Sequence, residues 1–202
     1  SLNVAMNYAI SGEQLKSDWE AIIDGESGDE IQILYLSFNN LRETPSHDYM
    51  KRMAKLGYLD CTFNKLEVVH SLGKEISPTS ILLDNNLIHT ITLGEDGYFC
   101  GLSQMETFSC SNNCLTKLPD LFSARSIYTM LTVNFSSNQI SELENGDEWR
   151  GVNTGTLNLA DNRLATLPKR ILGSGSIVEV LMLSANGMRT IEEGAMIGAN
   201  ST

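Results

Sequence analysis

Positive charge is in short supply in this sequence: 14 Lys and Arg stand against 25 Asp and Glu, a net charge of −11 with a pI near 4.6. That deficit excludes nucleic-acid binding, which draws on a Lys/Arg surplus to neutralise phosphates. It equally excludes a membrane surface held by basic charge. No apolar run approaches the roughly eighteen residues that a membrane-spanning helix needs. The three histidines, His47, His70 and His89, lie in separate segments without an HExxH spacing, so no zinc site is specified. No G-x-S-x-G phrase and no glycine-rich loop before a Lys-Ser/Thr pair occurs, and the acidic residues are scattered. Catalysis, metal and cofactor all lack a motif, and the chain reads as non-enzymatic. Aromatics are only 7% and prolines only 4, yet 42% hydrophobic content rules out a disordered chain.

What is present is a repeat. The phrases ILYLSFNNL, LGYLDCTFNKL, ILLDNNLI, FSCSNNCLTKLP, VNFSSNQISEL, LNLADNRLATLP and LMLSANGMRTI are variants of one another. They align on Asn39, Asn64, Asn86, Asn113, Asn138, Asn162 and Asn186, at spacings of 25, 22, 27, 25, 24 and 24 residues. Five slots per copy, at −8, −5, −3, +2 and +5 from the asparagine, are apolar in 32 of 35 cases; Thr44, Pro78 and Thr154 are the exceptions. Chance at 42% would supply about 15. The L-x-L at the centre of each phrase alternates with period two, as a strand with one buried face must. One copy cannot close a core, so neighbours stack and pair their strands in parallel. An inward asparagine can satisfy backbone groups where the chain leaves the strand, so the seven read as a structural ladder.

This pattern, L-x-x-L-x-L-x-x-N-x-L-x-x-L, resembles the leucine-rich repeat family over residues 31–197, in seven copies. The resemblance implies an α/β fold: a curved right-handed solenoid with a parallel β-sheet on its concave face. Short helices, 3-10 turns and loops would line its convex face. The return segments fit. PSHDYMKRMAKL places Met50, Met53 and Ala54 at helical spacing with Ser46 as a helix cap, and two LPxxL-like turns carry Leu121, Phe122, Ile171 and Leu172 inward. The long interval from Asn86 to Asn113 holds LGEDGYFCGL, read as an extra loop.

Residues 1–30 read as an N-terminal capping segment. Ser11 and Gln14 form a capping-box pair, and Leu15, Trp19, Ile22 and Ile23 share one face of an amphipathic helix over about 11–24. The acidic stretch 24–30 lacks the bidentate Glu of a calcium loop and reads as a solvated turn. Residues 198–202 form a tail. With Ser1 first and no basic-then-apolar leader, the chain reads as a fragment or processed product. No lid follows the last repeat, so the strand around Leu181 and Leu183 is expected to be covered by further chain or another protomer. Cys61 and Cys110 fill strand slots two repeats apart, about 10 Å, too far for a disulfide. A Cys100–Cys114 bridge is left open. The clustered terminal cysteines of many animal extracellular members of the family are missing, which points to a bacterial type of array.

Members of the family act as recognition platforms, and period-two geometry assigns the outward residues to −6, −4 and −2 from each asparagine. Ile33, Tyr35, Tyr58 and Leu82 beside Asp60 and Asp84 make the aromatic-plus-charge mixture of an anchor patch. Asn134 and Asn158 offer hydrogen bonding in the middle, and Met182 is apolar at the far end. Stacked aromatic platforms are nearly absent. Seven strands about 4.8 Å apart span roughly 29 Å. The face is therefore smaller than the roughly 800 Å² per partner of a standard interface, so a protein would need the rims as well, while a peptide or glycan would fit. Asn134 and Asn200 also head glycosylation sequons. The expected function is non-enzymatic recognition of a protein or peptide on the concave face, within a larger bacterial exported or cell-surface protein. The alternatives are a structural spacer without its own ligand, the targeting domain of a larger enzyme, and a cytoplasmic location.

Overall fold

Each phrase turns one side of a short strand inward, and the buried sides accumulate into a line of aliphatic columns rather than a central core. The structure is a computed structural model that describes residues 1–3, 28–95, 99–119, 121, 128–143, 152–169, 171 and 176–195. The chain divides into two compact units, Ser1–Met105 and Glu106–Thr202.

In the first unit, in chain order, stand β1 (Leu2–Asn3), β2 (Ile33–Tyr35), a one-turn helix α1 (His47–Met50), β3 (Tyr58–Asp60), β4 (Val68–Val69), β5 (Ser80–Leu82) and β6 (Thr90–Ile91). Strands β1, β2, β3 and β5 pair in that order, all parallel, and β4 pairs with β6 on the return side. The register sets Leu34 opposite Leu59 and Leu59 opposite Ile81, and all three are fully buried. Removing one such side chain from water contributes about 1.5–3 kcal/mol, which makes these columns the main driving force of the fold. β1 is an addition to the seven phrases: Leu2 pairs with Leu34, so the outer edge of β2 is covered by a strand from the N-terminal segment. The helix expected over 11–24 and the tail 198–202 lie outside the described residues, as do Phe122 and Leu172.

The second unit repeats the plan with β7 (Thr107–Ser109), β8 (Tyr128–Asn134), β9 (Val152–Asn158), β10 (Thr166–Leu167), β11 (Ile177–Met182) and β12 (Thr190–Ile191). Its sheet runs β7–β8–β9–β11, again parallel, with β10 paired to β12 behind. Gly155 sits where a side chain would meet the Leu131 carbonyl at 2.9 Å, so β8 and β9 approach there only because it has none.

The three slots without an apolar filler are interior all the same. Thr44 and Thr154 are 2% and 0% exposed, and Pro78 is buried. Each hydroxyl is satisfied: Thr44 Oγ1 accepts from the His70 N–H at 3.0 Å, and Thr154 Oγ1 donates to the Thr156 carbonyl at 3.1 Å. The last phrase behaves in the opposite way. Val178, Leu181, Leu183 and Met188 are only half-buried, and Ile191 is 67% exposed. On the return side Met50, Met53, Leu121 and Ile171 are buried as expected. Ala54 is exposed, because α1 ends at Met50, and Ser46 holds the N-cap position without a side-chain cap bond. Gly73, at φ +89°, lets the chain turn beneath His47, whose ring occupies the space a Cβ would need. The LGEDGYFCGL interval is more than a loop: Phe99 and Cys100 are buried, and the Phe99 carbonyl accepts from the Leu72 N–H at 2.7 Å.

The asparagines link one turn of chain to the one before it. Asn64 donates from Nδ2 to the Leu36 carbonyl of the preceding turn at 2.8 Å and to Cys61 of its own at 3.1 Å. Its Oδ1 accepts from the Leu41 N–H at 3.1 Å. Asn86, Asn138, Asn162 and Asn186 repeat this pattern on their own preceding turns. Asn39 and Asn113 donate to carbonyls of their own turns, Leu36 at 2.9 Å and Ser111 at 3.0 Å. The residue before each asparagine is left-handed in all seven phrases, with φ between 51° and 58°. Replacing Asn162 with alanine would strip the buried Ile140 N–H of its acceptor, a bond of 2.9 Å. A loss of about 1–3 kcal/mol in urea unfolding is expected.

All four cysteines are free. Burial pushes the Cys100 thiol up to about 12 and Cys61 higher still, helped in the second case by the Asp60 charge. Both are therefore expected to resist maleimide at neutral pH, while half-buried Cys114 reacts first. Mass spectrometry of partly labelled folded protein, followed by labelling in denaturant, checks that order.

Candidate functional site

The open side of the first unit's sheet is fixed by register. One row across β2, β3 and β5 holds Ile33, Tyr58 and Ser80, and the next holds Tyr35, Asp60 and Leu82. Asp60 therefore lies between an aromatic and an aliphatic neighbour, each about 4.8 Å away across the sheet. All six side chains are half-buried, presenting area to solvent while being held by their neighbours. Tyr35 and Tyr58 meet diagonally with ring centroids 5.6 Å apart and planes at 55°. That is the tilted arrangement favoured by the ring quadrupoles. Asp60 is fixed by its own strand: Oδ1 accepts from the Thr62 N–H at 2.9 Å and from its hydroxyl at 2.8 Å. Partial burial, then the Asp60 charge, then Tyr35, together hold the Tyr58 phenol above the ordinary tyrosine value of 10.0. Asp84 is half-buried two residues beyond β5.

In the second unit the corresponding face is hydroxyl- and amide-bearing. Asn134 and Asn158 occupy facing positions on β8 and β9, and Met182 follows opposite Asn158 on β11. The two amides are committed to local geometry, since Asn134 Oδ1 accepts from the Ser136 N–H and Asn158 Oδ1 from the Ala160 N–H, both at 3.0 Å. The device matches that of Asp60, and it leaves these asparagines less adaptable than their place on the face implies. Met182 and Val180 are 41% and 50% exposed. Ser37 and Ser109, which the alternation assigns to the open face, are covered at 7% exposure each.

Two residues of this region escape the slot pattern. Phe38 and Phe63 directly precede Asn39 and Asn64, and their rings stack at 4.4 Å with planes 7° apart. A stacked aromatic platform is therefore present, contrary to the expectation from composition. Its rings stand on left-handed backbone at φ 56° and 53°, a conformation that costs a residue with a Cβ about 1–2 kcal/mol. The signal was in the sequence, as the other five phrases use Asn, Asn, Ser, Asp and Ala there. Behind the sheet, the first unit holds a cavity of about 600 Å³ lined by residues that include His47, His70, Lys74, Glu75 and Glu95. Both signs of charge line it. Among the described residues no three His, Cys, Asp or Glu side chains gather as a metal site would require. No helix of the described residues is long and apolar enough to cross a membrane.

The parallel strands, the inward slots and the asparagine bonds define a leucine-rich repeat solenoid, and the chain is built as a leucine-rich repeat protein. No family model matches it. It is similar to Tsukushi of Gallus gallus, 26% identical over 190 residues that make up 94% of this chain and 43% of the relative. It is also similar to lumican of Gallus gallus, 29% identical over 173 residues, 80% of this chain and 45% of the relative. Among solved structures it superposes on a leucine-rich repeat protein from Bacteroides thetaiotaomicron with a TM-score of 0.70 at 28% identity, covering 95% of this chain and 27% of that one. A second such protein, from Bacteroides eggerthii, gives 0.68 at 29% identity, with 94% and 37% covered. The chain thus spans less than half the length of each of these proteins.

The coupling inside the aromatic patch is open to a direct measurement. Asp60→Asn removes a negative charge beside the Tyr58 phenol, so its titration, followed by absorbance near 295 nm with Tyr58→Phe marking the signal, is expected to move down. It should stay above the ordinary value because burial, the larger cause, remains. An unmoved curve would mean that Asp60 and Tyr58 do not interact.

Proposed function

We propose that this chain is a non-enzymatic recognition module that takes a protein or peptide on the open, concave face of its sheet. The anchor patch is Ile33, Tyr35, Tyr58, Asp60, Leu82 and Asp84. The single observation that carries the reading is the row Tyr35–Asp60–Leu82 with Tyr58 packed diagonally on Tyr35, held half-buried on three neighbouring strands. Rigid aromatic and aliphatic anchors around one charge are what a small interface needs, because a few such residues supply most of the binding free energy. Asn134, Asn158 and Met182 extend the face as secondary contacts. The setting we infer is an exported or cell-surface bacterial protein of which this chain is part. Similarity to the two Bacteroides proteins supports a bacterial origin, and similarity to Tsukushi and lumican supports a binding role.

A second reading, an assembly segment, is favoured by one observation. Leu181, Leu183, Met188 and Ile191 fill interior slots yet are incompletely covered, next to β11, the last strand of its sheet among the described residues. Further chain or another protomer covers that edge in this reading.

Selection from a phage-displayed peptide library tests the first reading. Peptides enriched by the wild-type chain should bind the Tyr35→Ala, Tyr58→Ala, Leu82→Ala triple variant about tenfold or more weakly, with circular dichroism unchanged. Equal affinity for the triple variant would sink the assignment.

A further inference from the structure

The Phe38–Phe63 stack is not explained by the fold. The backbone at this point of each phrase is left-handed in all seven, and Ala185, Ser137 and Asn85 adopt it with φ between 54° and 58°. After glycine, asparagine is the residue best suited to it, and phenylalanine one of the worse. Two consecutive phrases nevertheless place phenylalanine there, stack the rings face to face, and leave Phe63 47% exposed. A bulky residue kept on unfavourable backbone and in contact with water points to a role outside folding.

The neighbourhood says what would sit on it. The same two phrases carry Tyr35 and Tyr58, so four aromatic rings belong to adjacent turns of chain. Asp60 lies three residues before Phe63, which bounds their α-carbons to within about 11 Å. The outward positions of the first unit's strands carry two charged residues, Asp60 and Asp84, both negative; the exposed basic residues beyond the two rings are Lys65 and Arg42, the latter paired with Glu67 at 3.2 Å. Aromatic faces attract cations through their quadrupoles, and a carboxylate beside them adds charge complementarity. Arginine suits this combination better than lysine. Its guanidinium is planar, weakly hydrated, able to lie flat on a ring and able to fork onto a carboxylate in the same pose.

We propose that the Phe38–Phe63 stack and Asp60 form a subsite for an arginine side chain of the bound peptide segment, with the guanidinium laid on the exposed Phe63 ring. This rests on the peptide-recognition reading above and names the chemistry of its partner: a segment bearing a basic residue, attracted by a chain of net charge −11.

The test uses three probes on the intact chain: a short acetylated Gly-Ser peptide with one arginine, the same peptide with citrulline, and a neutral oligosaccharide, cellohexaose. Aromatic proton–carbon NMR reads the Phe38 and Phe63 rings. The arginine peptide should shift both rings saturably, the citrulline peptide should bind about fivefold or more weakly, and Asp60→Asn should weaken the arginine peptide to a similar degree. The Phe38→Asn, Phe63→Asn double variant carries the residue that this backbone already takes at Asn85 and Asn112. It should fold, as judged by circular dichroism and thermal unfolding, and lose the arginine response. Equal binding of the citrulline peptide, an unaffected double variant, or ring shifts with cellohexaose but not with arginine would overturn the proposal. Library peptides that depend on Tyr35 and Tyr58 but carry no arginine would overturn it too, and would leave the recognition reading standing.

Discussion

The structure depends on a side-chain amide standing where a backbone would otherwise be left unpaired. In a stacked array each turn of chain must leave the strand, and the carbonyls and amide hydrogens at that corner face inward, away from water. An asparagine there offers two donors and an acceptor in one rigid plane. Asn64, Asn86, Asn138, Asn162 and Asn186 each use them to tie their own turn to the preceding one. Apolar burial supplies more free energy, but it is tolerant of which aliphatic residue sits where. The amide bonds are directional, so they fix the register of the columns and with it the face each intervening residue occupies.

The same corner creates the feature most suggestive of function. Turning the asparagine inward requires the preceding residue to adopt positive φ in every phrase, and whatever stands there is held at the end of the strands. Most phrases fill the place with a small or polar residue that accepts this conformation. Phe38 and Phe63 do not, and the strained pair adjoins the strands that carry Tyr35, Tyr58 and Asp60. The second unit has the same scaffold with a different surface: Asn134 and Asn158 bond back to their own strands. Side-chain chemistry is thus distributed unevenly over a uniform frame, which is what a repeat scaffold permits, since outward residues contribute little to stacking.

The acidity fits this picture without explaining it. Among the described residues most of the carboxylates lie off the sheet, in return segments where pairs such as Arg42 and Glu67, 3.2 Å apart and largely exposed, contribute little to stability. The longer-range effect is broader: a negative field favours approach of basic segments, and the two carboxylates assigned to the first unit's face put that bias beside its aromatic rings.

The repeat, its period, the direction in which alternate residues point and the identity of the ladder asparagines are all legible in the amino-acid string, because each follows from local spacing. The string even overstated its own exceptions, since Thr44, Pro78 and Thr154 are interior once stacking closes over them. Matters that depend on a neighbouring turn had to wait for the folded chain, whose tertiary structure settles four of them. It paired Leu2–Asn3 with β2, brought Tyr35 onto Tyr58 across a diagonal, left the last phrase incompletely covered and set Phe38 flat against Phe63. Residues 25 apart in sequence meet only through stacking, and no single phrase of this chain contains its own neighbour.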